Sequence, residues 1–141
     1  MNKEGAIERM RELSAAKVPF LHQGTDFNGI DCVGALCYAF EYRGPIPAYP
    51  RDPINGELEL HLKRVFGPHL FERPEATDVL LPGDVVSMQY RGPARHVALL
   101  AQHPTLPGQL SMIHTDSNLG WVTEHILDFK WRRRIVKVWR P

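Results

Sequence analysis

The stretch Ile30-Asp-Cys-Val-Gly-Ala-Leu-Cys-Tyr-Ala-Phe40 decides how the chain reads. Apolar residues fall at 33, 36, 37 and 40, the spacing of one helix face. Asp31 is placed to cap that helix, which puts Cys32 in its first turn. Just upstream lies a polar, glycine-bearing loop, His22-Gln-Gly-Thr-Asp-Phe-Asn-Gly29, which leaves room for a substrate to approach the sulfur. Unpaired N–H groups and the helix dipole at such a position favour a thiolate and are expected to lower its pKa. The same N–H groups can hold the oxyanion of an acyl-transfer transition state. A lone cysteine in this setting is more often a small buried hydrophobe, so the chemistry needs a base as well.

Working outward, the spacing predicts a first helix over about Lys3 to Ala16, stopped before Pro19. Gly44 to Pro53 carries four prolines and reads as a rigid loop. A third helix is predicted over about Gly56 to Phe66, ended by Gly67-Pro68. Leu81-Pro-Gly-Asp84 is a turn signal, and the period changes after it. Val85 to Tyr90, His96 to Ala101 and Leu110 to His114 are short, apolar and β-favouring, with further strands predicted at Gly120 to Glu124 and Arg134 to Arg140. Arg91-Gly-Pro-Ala and Pro104-Thr-Leu-Pro-Gly108 suit hairpin or short-loop links. Helices first and strands second predict an α+β fold, with N-terminal helices on a C-terminal antiparallel sheet of about five strands.

Composition fits one globular domain over residues 1–141, with 43% apolar and 23% charged residues. A net charge of +1 argues neither for nor against a polyanionic partner. The run Lys130-Trp-Arg-Arg-Arg134 invites a nucleic-acid reading, but no second basic patch supports it, and a solvated strand face is the expectation. Cys32 and Cys37 are five apart, which is no zinc spacing, and on one helix they point about 140° apart, so neither a metal site nor a disulfide is expected. Cys37 reads as core. Met1 to Lys17 is amphipathic rather than continuously apolar, so no secretory signal is expected there. No run approaches the roughly 20 apolar residues of a membrane span. The expectation is synthesis in a bacterial cytoplasm, with delivery to any outside substrate by other means.

Seven histidines are available as the base. His96 opens one predicted strand and His114 ends the next, and antiparallel neighbours bring such positions to one edge of the sheet. His96 then serves as base and His114 as its orienting group. His125 is the second choice. His61 and His69 are expected to face solvent, and His103 to lie in a turn.

Five segments carry a resemblance: Pro19-Phe-Leu-His-Gln-Gly24, Gly29-Ile-Asp-Cys-Val-Gly34, Leu81-Pro-Gly-Asp-Val-Val86, Ala94-Arg-His-Val-Ala98 and Met112-Ile-His-Thr115. In this order and spacing the chain resembles the NlpC/P60 family of cysteine peptidases, in particular its small phage and prophage members. The resemblance implies a papain-like α+β fold, no cofactor, and hydrolysis of peptide bonds in peptidoglycan stem peptides. It implies Cys32 as nucleophile, His96 as base and His114 as the third residue. It also implies that Asp31 engages a substrate amino group, a role compatible with capping. Three positions depart from the common pattern. Phe20 stands where many members have Tyr, Val33 follows the cysteine where Ser is common, and Arg95 precedes the base where Ser is common. Phe20, Arg95 and Asp31 are therefore the expected substrate contacts, with His22 a further candidate. The phage-like character points to a tail-associated or lysis-associated enzyme with other tail proteins as partners. Two alternatives stand beside it: a non-catalytic tail assembly module on the same fold, and a related cysteine amidase or acyltransferase.

Overall fold

The central strands that follow Asp84 alternate between two buried faces, and this is what builds the sheet. In the computed structural model, which describes residues 1–50, 56–75, 78–90 and 95–141, six strands run in the order β3-β8-β4-β5-β6-β7, every neighbour antiparallel. They are β3 (Phe71–Glu72), β4 (Val85–Met88), β5 (His96–Gln102), β6 (Leu110–His114), β7 (Thr123–Ile126) and β8 (Ile135–Trp139). Val97, Leu99 and Ala101 of β5 pack toward the helices, while Ala98 and Leu100 pack toward the opposite face. Both faces of the central strands are thus dry, which explains their nearly unbroken apolar runs. The strand-order connection from β4 to β5 predicted at Arg91 to Ala94 lies outside the described residues, as does part of the proline-rich loop (51–53).

Two helices cover one face. α1 (Lys3–Ala15) buries Ala6, Met10 and Leu13, and α2 (Cys32–Ala39) buries Val33, Ala35, Leu36 and Ala39. α3 (Glu57–Phe66) adds Leu58 and Leu62 to the same core. A two-residue hairpin, β1 (Thr25–Asp26) with β2 (Gly29–Ile30), leads straight into α2. None of the described helices is long and apolar enough to cross a membrane.

The turn motif Leu81-Pro-Gly-Asp84 has a physical reason. The Asp84 carboxylate is buried, accepts from the Leu81 N–H at 2.9 Å, and takes both Nε (2.8 Å) and Nη2 (2.9 Å) of Arg140. This bidentate pair pins the C-terminal end of β8 beside the start of β4.

The six strands agree with the expected sheet of about five, the short one being β3, only two residues long and without periodicity to read. Three expectations are corrected. The predicted strand at Gly120 to Glu124 starts later, at Thr123. His61 is buried, because its face of α3 turns inward beneath the Tyr49 ring. The cationic run is not a strand face: Asp128 caps α4 (Phe129–Arg132) by accepting from the Trp131 N–H at 3.0 Å, and Arg132 donates to the Asp78 carbonyl at 2.9 Å.

The glycine two residues after Cys32 is explained by contact. A Cβ on Gly34 would lie 2.1 Å from the Gly24 carbonyl oxygen, so the loop backbone rests directly on the helix. Alanine is the better helix former, yet Gly34→Ala is expected to lower stability by about 1–3 kcal/mol through overpacking. Urea denaturation checks this, as a drop in midpoint at unchanged m-value.

Candidate active site

Asp31 organises the approach to Cys32. Its Oδ1 accepts from the Gly34 N–H at 2.8 Å, capping α2. Its Oδ2 accepts from the Gln23 N–H at 2.8 Å and from the Tyr49 hydroxyl. One buried carboxylate therefore ties the helix start, the loop before it and the proline-rich segment together. Cys32 follows immediately, and its sulfur receives the backbone N–H groups of Val97 and Val33.

A cavity of about 200 Å³ opens over this sulfur. Cys32 and His96 both line it, together with Phe20, His22, Asp31, Tyr49, Tyr90, Arg95 and Asp116. All four expected substrate contacts thus border the space beside Cys32. His22 also lies with Nε2 3.1 Å from the Tyr49 carbonyl, which holds the two residues together.

The histidines form a row. His96 Nε2 lies 2.6 Å from His114 Nδ1, and His114 Nε2 lies 2.6 Å from His125 Nε2. The register explains this: His114 sits opposite Thr123 and His125 opposite Met112, so the two are diagonal neighbours on one face. Trp131 of α4 closes over the row, its ring centroid 5.2 Å from that of His114 and 5.3 Å from that of His125. The Arg134 guanidinium lies over the Trp131 ring, 4.6 Å from its centroid. The rings meet nitrogen to nitrogen, and among the described residues no group of three or more His, Cys, Asp or Glu is arranged to hold a metal ion.

Residues 17–140 match the NlpC/P60 family. The chain belongs to the NlpC/P60 family. The same fold recurs in the crystal structure of the NlpC/p60 domain of the peptidoglycan hydrolase SagA, with a TM-score of 0.60 and 17% sequence identity over 99% of this chain and 98% of that one. No curated protein matches the chain.

The electrostatics of this NlpC/P60 site differ from the expectation of a lowered thiol pKa. Burial pushes the Cys32 thiol up, the Asp31 carboxylate adds to this, and the N–H groups of Val97 and Val33 oppose it without prevailing. Burial likewise holds His96 down, at about 4, against the attraction of Asp116. Burial, with the neighbouring His96 and His125, holds His114 at about 2. At neutral pH the resting site therefore holds a thiol and neutral imidazoles, not an ion pair.

Several residues at the site were not legible in the sequence. Tyr49 sits in the proline-rich loop, which has no periodicity. Tyr90 donates its hydroxyl to Asp116 Oδ2 at 3.0 Å, a contact across 26 positions of chain. Trp131 was hidden in what looked like a charged strand. Cys37 is half-buried and lines a second cavity of about 560 Å³ on the far side of Asp31; burial raises its thiol to about 11.

Asp31→Asn offers a check on the electrostatics. Asparagine caps a helix as well as aspartate does, but it removes the charge beside the sulfur. Cys32 is then expected to alkylate faster than in the native protein at a fixed pH near 8, with the midpoint of its rate–pH curve moved down. Iodoacetamide kinetics followed by mass spectrometry, which separates Cys32 from Cys37, reads this directly.

Proposed function

We propose that this chain is a cysteine endopeptidase that hydrolyses amide bonds in bacterial peptidoglycan peptides, with Cys32 as nucleophile, His96 as base and His114 as the residue that orients His96. The observation that carries it is the placement of Cys32, at a helix N-terminus, and His96, hydrogen-bonded to His114, around one cavity. Family membership and the hydrolase that shares the fold support the substrate class.

The neutral resting pair shapes the mechanism. As Cys32 Sγ attacks the amide carbon, its proton passes to His96, which thus acts as a true general base. The tetrahedral oxyanion lies at the start of α2, where the Cys32 N–H is free of helix bonding. His96 then gives the proton to the leaving amine nitrogen as the C–N bond breaks, leaving a thioester on Cys32. Water attacks the thioester while His96 takes its proton, and the thiol is restored. Asp31, whose oxygens already take three donors, meets the substrate amino group on the Tyr49 side, while Phe20, Arg95 and His22 contact the peptide. Phe20 donates no hydrogen bond, so the oxyanion depends on backbone groups. The phage-like motif set supports a tail-associated or lysis-associated setting, in which the particle made in the bacterial cytoplasm carries the enzyme to the wall with other tail proteins.

Purified peptidoglycan incubated with the protein is expected to release peptide fragments, and Cys32→Ala to release none. Mass spectrometry of the products names the bond cut and separates a peptidase from an amidase or an acyltransferase. Identical products from both proteins, or none from either, would reject the hydrolase reading and leave the assembly module.

The pH dependence follows from His96. As pH falls through about 4, the ring gains a proton and no longer accepts one from Cys32, so activity is lost there. The acid limb of kcat/KM is expected near pH 4, well below the ordinary histidine value of about 6.5. A limb centred at the ordinary value would contradict the neutral resting pair.

A further inference from the structure

The row of histidines ends on a backbone carbonyl, and that ending decides where every proton sits. His125 Nδ1 lies 2.9 Å from the Ile126 carbonyl oxygen. A carbonyl oxygen only accepts, so Nδ1 carries the proton, and in the neutral ring Nε2 is a bare lone pair. His114 Nε2, at 2.6 Å, must then donate to it, which leaves His114 Nδ1 bare. His96 Nε2, at 2.6 Å from His114 Nδ1, must donate in turn, which leaves His96 Nδ1 bare. For neutral rings, one arrangement of protons satisfies all three contacts.

We infer that His125 is a positioning residue: acting through His114, it holds His96 in the tautomer whose Nδ1 accepts the Cys32 proton. Its catalytic consequence rests on the Cys32–His96 reading above; the tautomers themselves do not. His114 alone cannot enforce this choice. Two neutral imidazoles in contact satisfy each other equally well with the proton on either nitrogen between them. In the reverse arrangement His114 Nδ1 donates to His96 Nε2, and His96 carries its proton on Nδ1, where it cannot act as base. The Ile126 carbonyl breaks this tie through His125. Trp131 packs on both His114 and His125, which holds the two rings against each other. The arrangement is the triad logic extended by one ring: the outermost member is held by an acceptor that cannot itself change protonation.

The test uses the full chain labelled with nitrogen-15 at histidine, carrying Cys32→Ala, near neutral pH. Long-range nitrogen–proton correlation spectra are expected to show His96 and His114 as Nε2–H and His125 as Nδ1–H. His96 found as Nδ1–H would overturn the inference without any change at position 125. In the second arm, His125→Phe keeps an aromatic ring under Trp131 but removes the acceptor. The His96 signal is then expected to move toward Nδ1–H, and in the active protein kcat to fall about tenfold or more with KM changed less than about twofold, the scale of one lost hydrogen bond. His125→Gln, whose side-chain carbonyl can accept from His114, is expected to recover most of both. Unchanged His96 tautomers in His125→Phe, or equal losses in Phe and Gln variants, would reduce His125 to a packing role and overturn the inference. If the expected tautomers appear but native protein cleaves no peptidoglycan, the proposed function fails while the tautomer assignment stands.

Discussion

The Asp31 carboxylate receives three donors from three separate parts of the chain: the Gly34 N–H of α2, the Gln23 N–H of the preceding loop and the Tyr49 hydroxyl. A buried anion is tolerated only when its lone pairs are met, so each donor is held in place by the cost of losing it. The start of α2 cannot shift without breaking the cap, and the loop cannot lift without uncovering a charge. Cys32 inherits this rigidity. The close approach of Gly24 and Gly34 serves the same end, since backbone rests on backbone with no side chain between them.

The same charge has an electrostatic consequence. A helix N-terminus normally favours a thiolate, but here a carboxylate occupies the cap one residue before the sulfur. Burial and that carboxylate outweigh the local N–H groups, and the thiol stays protonated. A protonated thiol cannot attack unaided, so the proposed reaction needs a base that is neutral and correctly oriented. In the mechanism proposed above, burial of His96 supplies the neutrality, and the row through His114 and His125 supplies the orientation. The cap that fixes the proposed nucleophile thus creates the need that the sheet edge fulfils.

That sheet edge depends in turn on the two-faced core. Strands β4, β5 and β6 are buried on both sides, which leaves no freedom to slip register without exposing apolar side chains. A slip of one residue between β6 and β7 would carry His125 to the other face and break the row. Trp131 and Arg134 close the remaining side, and they do so because Asp128 starts a short helix where the sequence alone suggested a strand.

Much of this was readable from local pattern. The 3–4 spacing around Cys32, the cap at Asp31 and the short apolar runs after Asp84 depend on neighbours within a turn or a strand, and such neighbours are written in order along the chain. They determined the α+β class, the helix position of the cysteine and the pairing of His96 with His114. The tertiary structure alone decided the rest. Tyr49 reaches Asp31 from a segment without period, Asp84 meets Arg140 across 56 positions, and His125 joins the row only through strand register. The protonation of Cys32 is of the same kind. Helix position is a local property and pointed to a thiolate, whereas burial is a property of everything packed around the sulfur, and here it outweighs the helix.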